Sequence, residues 1–251
     1  MNSPSISFVS PVYGNRASLR ALCERIGEVA SQSWPGDRVE IILVDDCSPD
    51  GAWSEIQSLA SSMRHVRGLR LRRNAGQHVA VLSGFAFAKG QVVICLDGDL
   101  QDPPEAAPAL RCALVDGVDV SFAGRRGVYQ SIPAMITSTL YRMLILRLIG
   151  LPRDAGMYFA CTNAAAAKLL DARVNSPSVI GLIAASLRCR SIPVERSSRA
   201  LGVSSYDFSK RLRAARRALA TYVLARRSDS AVRPVREQIA ELIVEDTASR
   251  S

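Results

Sequence analysis

Two acid pairs stand where continuous apolar runs stop. Val92-Val93-Ile94-Cys95-Leu96 leads into Asp97-Gly98-Asp99-Leu100-Gln101-Asp102, and Val39–Val44 leads into Asp45-Asp46-Cys47-Ser48-Pro49-Asp50-Gly51. Carboxylates one residue apart at the end of a buried strand can share a divalent cation. Mg²⁺ and Mn²⁺ favour oxygen ligands completed by substrate phosphates, so Asp97 and Asp99 suit a nucleoside diphosphate bridged to protein by metal. A bare Asp-x-Asp also marks ordinary solvated turns, and the pair gains weight from its neighbours. Gly98 lets a backbone approach a ligand closely, and Pro103-Pro104 fixes the exit and opens the next helix. A carboxylate of Asp45-Asp46 can accept from a base N–H or ribose hydroxyls, while Asp50 or Ser48 can equally cap a helix starting at Ala52. His65 and His78 form no metal pair in sequence. His78, beside Gln77 at a helix start, is open to a structural or a functional role.

The elements that must position these residues alternate. Strands are expected at Ile6–Val9, Val39–Val44, Val66–Leu71, Val92–Leu96 and Val118–Phe122, with helices at Ala17–Ser31, Ala52–Ser62, Val79–Ala88 and Pro104–Asp116 between them. This βαβα order predicts an α/β fold, a mainly parallel sheet flanked by helices, whose continuous apolar strands are buried on both faces. Ligands of such sheets bind outside the carboxyl ends of the strands, where the acids and amides stand. Further on, Ile132–Leu148, Ala164–Leu170, Val179–Leu187 and Tyr206–Arg227 read as helices, and Met157–Cys161 and Ser191–Val194 as strands. A last helix runs from Pro234 to about Glu245, and Asp246–Ser251 is expected to fray.

Composition narrows the function classes. The 251 residues are 48% hydrophobic and 22% charged, which excludes wholesale disorder. A net charge of +9, from 32 Lys/Arg and 23 Asp/Glu, suits an anionic partner without choosing among nucleic acid, acidic membrane and phosphorylated substrate. Six cysteines at 23, 47, 95, 112, 161 and 189 form no C-x-x-C pair, so they read as reduced thiols of a cytosolic protein. Met1–Ser10 carries no basic stretch before its apolar residues, which predicts no secretory leader, and no apolar run is long enough to span a bilayer. P-loop, Rossmann and nucleophile-elbow strings are absent.

Four strings occur in order: Ser10-Pro11-Val12-Tyr13, Val44-Asp45-Asp46-Cys47-Ser48-Pro49-Asp50-Gly51, Arg73-Asn74-Ala75-Gly76-Gln77-His78 and Leu96-Asp97-Gly98-Asp99-Leu100-Gln101-Asp102-Pro103-Pro104-Glu105. Together, over residues 5–125, they resemble family-2 glycosyltransferases of the GT-A fold. The last two strings resemble the polyprenyl-phosphate sugar transferases, the group of dolichyl-phosphate mannose synthases and undecaprenyl-phosphate glycosyltransferases. Arg199-Ala200-Leu201-Gly202-Val203-Ser204-Ser205-Tyr206 is a weaker match to the group's R-x-x-G-x-S-x-Y segment. The resemblance implies that Pro11, Val12, Tyr13, Asp46, Asn74, Gln77 and Asp97 bind the donor, with Asp46 toward the base. It implies that Asp97, Asp99 and Gln101 hold Mg²⁺ or Mn²⁺, that Asp99 is catalytic, and that Arg125 and Arg199 meet phosphate on donor or acceptor. The family inverts the anomeric centre in one in-line displacement, with the metal stabilising the leaving diphosphate.

The acceptor side departs from the family pattern. Gly14-Asn15-Arg16 stands where an acid is usual, Asp154-Ala155-Gly156-Met157-Tyr158-Phe159-Ala160 lacks the arginine of D-x-G-x-F-R-L, and Ala134-Met135-Ile136-Thr137-Ser138 lacks a basic residue before its serine. A hydroxyl acceptor needs a general base within hydrogen-bond reach, whereas a phosphate acceptor is already anionic. Between Gln130 and Pro193 the acids are Asp154 and Asp171, which favours a phosphate and leaves Asp154 as the candidate base for a hydroxyl. Lys210, Arg211, Arg213, Arg216, Arg217, Arg226 and Arg227 crowd one helix whose Leu212, Leu219, Tyr222 and Val223 share a face, a pattern that suits an anionic membrane surface or a helix docked on its own domain. Nucleic acid is disfavoured: aromatic residues are 6% of the chain and clustered acids repel phosphate.

The expectation is a GT-A catalytic domain over 1–205, with a donor half to about 125 and an acceptor half over 126–205, followed by a basic C-terminal helical appendage over 206–251. The expected activity moves a sugar from a nucleoside-diphosphate sugar to a polyprenyl phosphate at the cytosolic membrane face. The alternatives are a soluble hydroxylated acceptor (a secondary metabolite or cell-envelope precursor) or an inactive scaffold. Self-association is compatible with this reading.

Overall fold

The computed structural model describes residues 4–126, 144–195, 208–227 and 229–250. Side chains of 125–126, 208–212 and 249–250 also lie outside the description. Among the described residues one sheet of eight strands runs in the order β7-β5-β6-β4-β1-β2-β3-β8. The strands are β1 Ile6–Val12, β2 Val39–Asp45, β3 Val66–Leu71, β4 Val92–Cys95, β5 Val120–Arg126, β6 Phe159–Thr162, β7 Cys189–Glu195 and β8 Ile243–Asp246. β1 pairs in parallel with β2 and β4, β2 with β3, and β5 with β7, while β6 and β8 run against their neighbours. The sheet is therefore mainly parallel and flanked by helices, as the apolar runs predict. All seven residues of β1 are buried, because helices cover both faces.

The helices are α1 Leu19–Ser33, α2 Ala52–Ser62, α3 Gln77–Phe87, α4 Ala107–Cys112, α5 at 144–148, α6 Asn163–Leu170, α7 Val179–Ser186, α8 Phe208–Arg227 and α9 Val235–Ala240. On one face α1, α2 and α4 cover a core that includes Phe8, Leu22, Ile26, Ile41, Ile56 and Leu110. α1 buries Leu19, Leu22, Cys23, Ile26 and Val29, a stripe at spacings of three and four. Each fully buried Leu or Ile there contributes roughly 2 kcal/mol. On the other face α3 buries every residue from Val79 to Phe85, lying between the sheet and the outer helices α6, α7 and α9. Thr221 of α8 accepts from the Ser178 N–H at 3.1 Å and donates to the Ser176 carbonyl at 3.2 Å. Gly181 of α7 lets α8 come close, since a Cβ there would stand 2.4 Å from the Ala218 carbonyl oxygen. Leu219 and Tyr222 pack on the same core.

The C-terminus corrects the sequence reading. The helix expected over 234–245 ends at Ala240, and Ile243–Asp246 joins the edge of β3 as an antiparallel strand. Asp246 does not fray: it takes a two-pronged ion pair from Arg67, at 3.0 and 2.5 Å. Burial pushes the Asp246 carboxyl up, but the hydrogen bonds from Arg67 and the Ala248 N–H, with the guanidinium charge, hold it below the ordinary range. The helix expected over 104–116 stops at Cys112, and the strand expected at 118–122 runs over Val120–Arg126. Most of the helix expected over 132–148, Ala134–Ser138 and Arg199–Tyr206 lie outside the described residues. Among the described residues no helix is long and apolar enough to cross a membrane.

Candidate active site

The carboxyl ends of β1 to β4 meet at one edge of the sheet, and main-chain N–H groups fix the acids there. Asp45, wholly buried, accepts from the Ser48 N–H at 2.9 Å and pairs with Arg70 at 3.4 Å. Burial raises its pKa, against the lowering effect of the Ser48 N–H and Arg70. Asp46 accepts from the Ala75 N–H at 2.6 Å through one oxygen and from the Gly76 N–H at 2.8 Å through the other. Burial still holds its pKa above the ordinary value. Its own N–H donates to the Val12 carbonyl at 3.0 Å. Asp46 thus ties β1 and β2 to the loop before α3, a duty the sequence does not announce.

That loop reaches the Asp-x-Asp string. The Gln77 side-chain amide donates to Asp97 Oδ1 at 2.6 Å. The Asp97 N–H donates to the buried Asp102 carboxylate at 3.2 Å, and the Gln101 N–H to Asp99 Oδ1 at 3.1 Å. Leu100 takes φ 61°, so the string folds back on itself. Gly98 is enclosed: a Cβ there would lie 3.2 Å from Asn15 Nδ2 and 3.4 Å from Ser10 Oγ. Ser18 donates to the Gly98 carbonyl, and Tyr158 donates to the Pro103 carbonyl at 2.6 Å. These braces come from far along the chain, and no local pattern marks them.

Pro11 and Val12 are buried at the end of β1, and Tyr13, 53% exposed, is the side chain of that string open to solvent. Asn74 is exposed beside the Asp46-held loop. The structure therefore brings together Pro11, Val12, Tyr13, Asp46, Asn74, Gln77, Asp97, Asp99 and Gln101. Arg125 is placed in β5 with its side chain outside the description, and Arg199 lies outside the described residues altogether. Asp154 stands on the β5 side, two strands from β4: a Cβ on Gly124 would lie 2.0 Å from its Oδ2. His78, the second residue of α3, has its Nδ1 enclosed with no hydrogen-bond partner. Burial, with the nearby Arg217 charge adding to it, lowers its pKa to about 4.

Asp97, Asp99 and Gln101 make an all-oxygen donor set suited to Mg²⁺ or Mn²⁺. Among the described residues no group of three or more His, Cys, Asp and Glu side chains converges as a metal cage. An ion held by one or two carboxylates takes its other positions from phosphate oxygens and water. The enclosed Gly98 keeps the two carboxylates on a short, rigid turn.

Comparison with known proteins places the fold. The family model described as glycosyl transferase family 2 matches residues 7–168. Undecaprenyl-phosphate 4-deoxy-4-formamido-L-arabinose transferase of Aeromonas hydrophila is 35% identical over 215 residues, covering 82% of this chain and 65% of that protein. The protein of the same description from Salmonella choleraesuis is 33% identical, covering 82% and 63%. The chain thus spans under two thirds of the length of these curated relatives. Among solved structures, a Pyrobaculum calidifontis mannosyltransferase in complex with GDP-Man and Mn²⁺ aligns with TM-score 0.60 at 18% identity, over 96% of this chain and 69% of that one. Glucosyl-3-phosphoglycerate synthase from Mycobacterium tuberculosis, in complex with Mn²⁺, UDP and glucosyl-3-phosphoglycerate, aligns with TM-score 0.62 at 19% identity, over 90% and 82%. These likenesses establish the GT-A fold.

Proposed function

This chain belongs to glycosyl transferase family 2, and we propose that it moves a sugar from a nucleoside-diphosphate sugar to a polyprenyl phosphate. The observation that carries the donor chemistry is the hydrogen-bonded chain from Asp46 through Ala75, Gly76 and Gln77 to Asp97. It fixes a continuous stretch of the sheet's edge beside the Asp-x-Asp string that ends β4. Tyr13 and Asn74 face the nucleoside, and Gln77 orients Asp97. Asp97, Asp99 and Gln101 hold Mg²⁺ or Mn²⁺, which when bound neutralises the leaving diphosphate. Arg125 and Arg199 meet phosphate.

The acceptor assignment draws on the curated relatives, whose names specify undecaprenyl phosphate. A phosphate oxygen attacks the anomeric carbon, the bond to the diphosphate breaks, and no proton need move. A second reading, a hydroxyl acceptor, is favoured by Asp154, whose carboxylate sits against Gly124 beside Arg125. There Asp154 would take the hydroxyl proton.

We further infer that the protein works at the cytosolic face of the membrane. α8 spends Leu219 and Tyr222 on its own domain, so what remains for a membrane is mainly charge, with two exposed apolar residues. Arg213, Arg216, Arg226 and Arg227 are exposed there, beside Val223 and Leu224. An anionic surface attracts each such cation by about 1 kcal/mol. In domain terms, 1–205 carries the chemistry and 206–251 supplies the basic helix.

The test is a donor screen followed by an acceptor screen. Protein with Mn²⁺ or Mg²⁺ is titrated with UDP, GDP, CDP and dTDP, following thermal stability. The matching nucleoside-diphosphate sugar is then offered a short-chain isoprenyl phosphate and the corresponding alcohol. A metal-dependent shift with one nucleotide and transfer to the phosphate are expected. No shift with any nucleotide would leave the donor assignment without support, and transfer to the alcohol alone would select the second reading.

A further inference from the structure

We propose that Arg70 of β3 and Glu245 of β8 are positioning residues for the nucleotide: through Asp45 they hold the turn that anchors the loop carrying Tyr13. The nucleotide rests on the donor reading above, while the row of charges rests on geometry. Strand register sets the three side by side, Asp45 of β2 opposite Arg70 and Arg70 opposite Glu245. Arg70 Nε lies 3.4 Å from Asp45 Oδ2, and a terminal nitrogen of the same guanidinium lies 3.2 Å from Glu245 Oε1. The guanidinium also stands 5.8 Å from the centre of the Trp53 ring. Asp45 is wholly buried, and its Oδ2 has no hydrogen-bond partner among the described residues. A buried carboxylate oxygen without donors is costly, so the Arg70 charge is what makes an ionised Asp45 tolerable there. Glu245 and Trp53 keep that guanidinium from swinging into solvent.

The turn after Asp45 reaches the nucleotide edge. Asp45 accepts from the Ser48 N–H through its other oxygen at 2.9 Å. Ser48 Oγ accepts from the Gly14 N–H at 2.8 Å, and Asp50 Oδ2 accepts from the Arg16 N–H at 2.9 Å. Both ties fall in the loop after β1, beside the exposed Tyr13. The path therefore runs from the C-terminal strand, through one guanidinium and one carboxylate, to the loop that presents an aromatic ring. β8 carries a second ion pair that serves as an internal comparison. Side chains alternate along a strand. Arg67 pairs with Asp246 and lies 4.6 Å over the ring of Phe87 of α3, whereas Arg70 lies over Trp53 of α2. The two pairs thus occupy opposite faces of the sheet. The Arg67 pair secures β8 from the face away from Asp45, and the Arg70 pair reaches Asp45 itself.

The full chain is compared with Glu245→Ala, Glu245→Gln and Asp246→Asn, all at partly exposed side chains, so that no variant leaves Asp45 without a nearby cation. Hydrogen exchange at the Gly14, Arg16 and Ser48 amides is read in the free protein. Binding of UDP, GDP, CDP and dTDP with Mn²⁺ is read by titration. Glu245→Ala is expected to speed exchange at the three amides and to weaken nucleotide binding about fivefold to tenfold. In transfer assays the loss should appear in the donor KM, with kcat and the acceptor KM within about twofold of wild type. Glu245→Gln, which still accepts a hydrogen bond, should recover part of the loss. Asp246→Asn loosens the same strand from the other face and should leave exchange at the three amides and nucleotide affinity at wild-type values. Equal effects from Asp246→Asn and Glu245→Ala would reduce the row to a brace of β8 and overturn the positioning role. Unchanged exchange and affinity in Glu245→Ala, in a protein whose wild type binds nucleotide, would overturn it as well. A wild type that binds none of the four nucleotides removes the donor reading and the nucleotide role with it, and faster exchange in Glu245→Ala would then still identify the row as the anchor of the loop.

Discussion

The donor side and the acceptor side of this molecule are held by different means. On the donor side, main-chain N–H groups grip the carboxylates: Ser48 holds Asp45, Ala75 and Gly76 hold Asp46, Arg16 and Ala52 hold Asp50, and Gln101 holds Asp99. Backbone donors cannot swing away, so the edge keeps its shape before any nucleotide arrives. On the acceptor side the links between elements run through side chains: Thr221 joins α8 to the Ser178 N–H and the Ser176 carbonyl, and Arg217 makes a long bond to that same carbonyl. Enclosed polar atoms without a hydrogen-bond partner occur on both sides, Ser10 Oγ on the first and Ser178 Oγ and Ser191 Oγ on the second. The contrast teaches which end of the sheet the backbone itself makes rigid. Main-chain donors hold the carboxylates in place, whereas at the α7–α8 end side chains that can rotate carry the links.

The hardest blow to the donor side is Asp99→Asn. It removes half of the carboxylate pair proposed to hold the cation, and loss of metal stabilisation of the leaving group should cost roughly a thousandfold in kcat. The check is turnover with saturating Mn²⁺. Near-wild-type turnover would leave the donor edge without its catalytic metal and erase the contrast on that side.

Asp46→Ala tests whether preorganisation, rather than direct contact, is what the donor edge supplies. Two part-buried N–H groups lose their acceptors, at a cost of roughly 1 to 3 kcal/mol in stability. Nucleotide affinity should fall about tenfold as the loop before α3 loosens, while Asp97 and Asp99 remain. Denaturant unfolding and nucleotide titration read the two effects separately. Unchanged stability would mean the loop is held from elsewhere.

Much of the donor edge was legible in sequence, and the reason is physical. Parallel strands buried on both faces must be continuous apolar runs, so their ends are sharp, and chemistry follows those ends. The braces were not legible. Ser18 and Asn15 close on Gly98 across about 80 residues, and Arg70 joins Asp45 to Glu245 across the sheet. β8 was misread for a related reason. Four residues, Ile243–Asp246, carry too little pattern to separate strand from helix. Their state is set by the open edge of β3 and by Arg67 and Arg70 waiting there. Arg217 was legible as one charge of a basic helix, but its bond to the Ser176 carbonyl depends on how α8 seats on α7.

The β8 pairing offers a measurable pH signature. The Asp246 carboxyl is held below its ordinary value in the folded protein, so its contribution is present above the unfolded pKa of about 4 and is lost as pH falls through the folded value. Asp246→Asn should cost about 1 kcal/mol at pH 7, typical of a partly exposed ion pair. The gap between variant and wild type should close as pH drops below about 4. Thermal unfolding across pH 3 to 7 reads it, and a gap that is constant with pH would assign the loss to packing instead of charge. Because the pair lies at the far edge of the sheet from β5, acceptor kinetics should not change.

The smallest expected effect divides the two acceptor readings most sharply. Asp154 is the acid that the structure places against Gly124 of β5, where an acceptor hydroxyl would need a base. With a phosphate acceptor the nucleophile arrives already anionic, so Asp154→Asn, nearly the same in shape, should change turnover by less than about threefold. With a hydroxyl acceptor the same substitution removes the proton acceptor and should cost roughly 10²- to 10⁴-fold. The two outcomes do not overlap, and comparing isoprenyl phosphate with the corresponding alcohol on the same variant controls for misfolding. A small loss on phosphate would show that the acceptor arrives already charged and needs no base. A large loss would show that the acceptor side works by moving a proton, and Asp154 would then join Asp99 in the catalytic machinery.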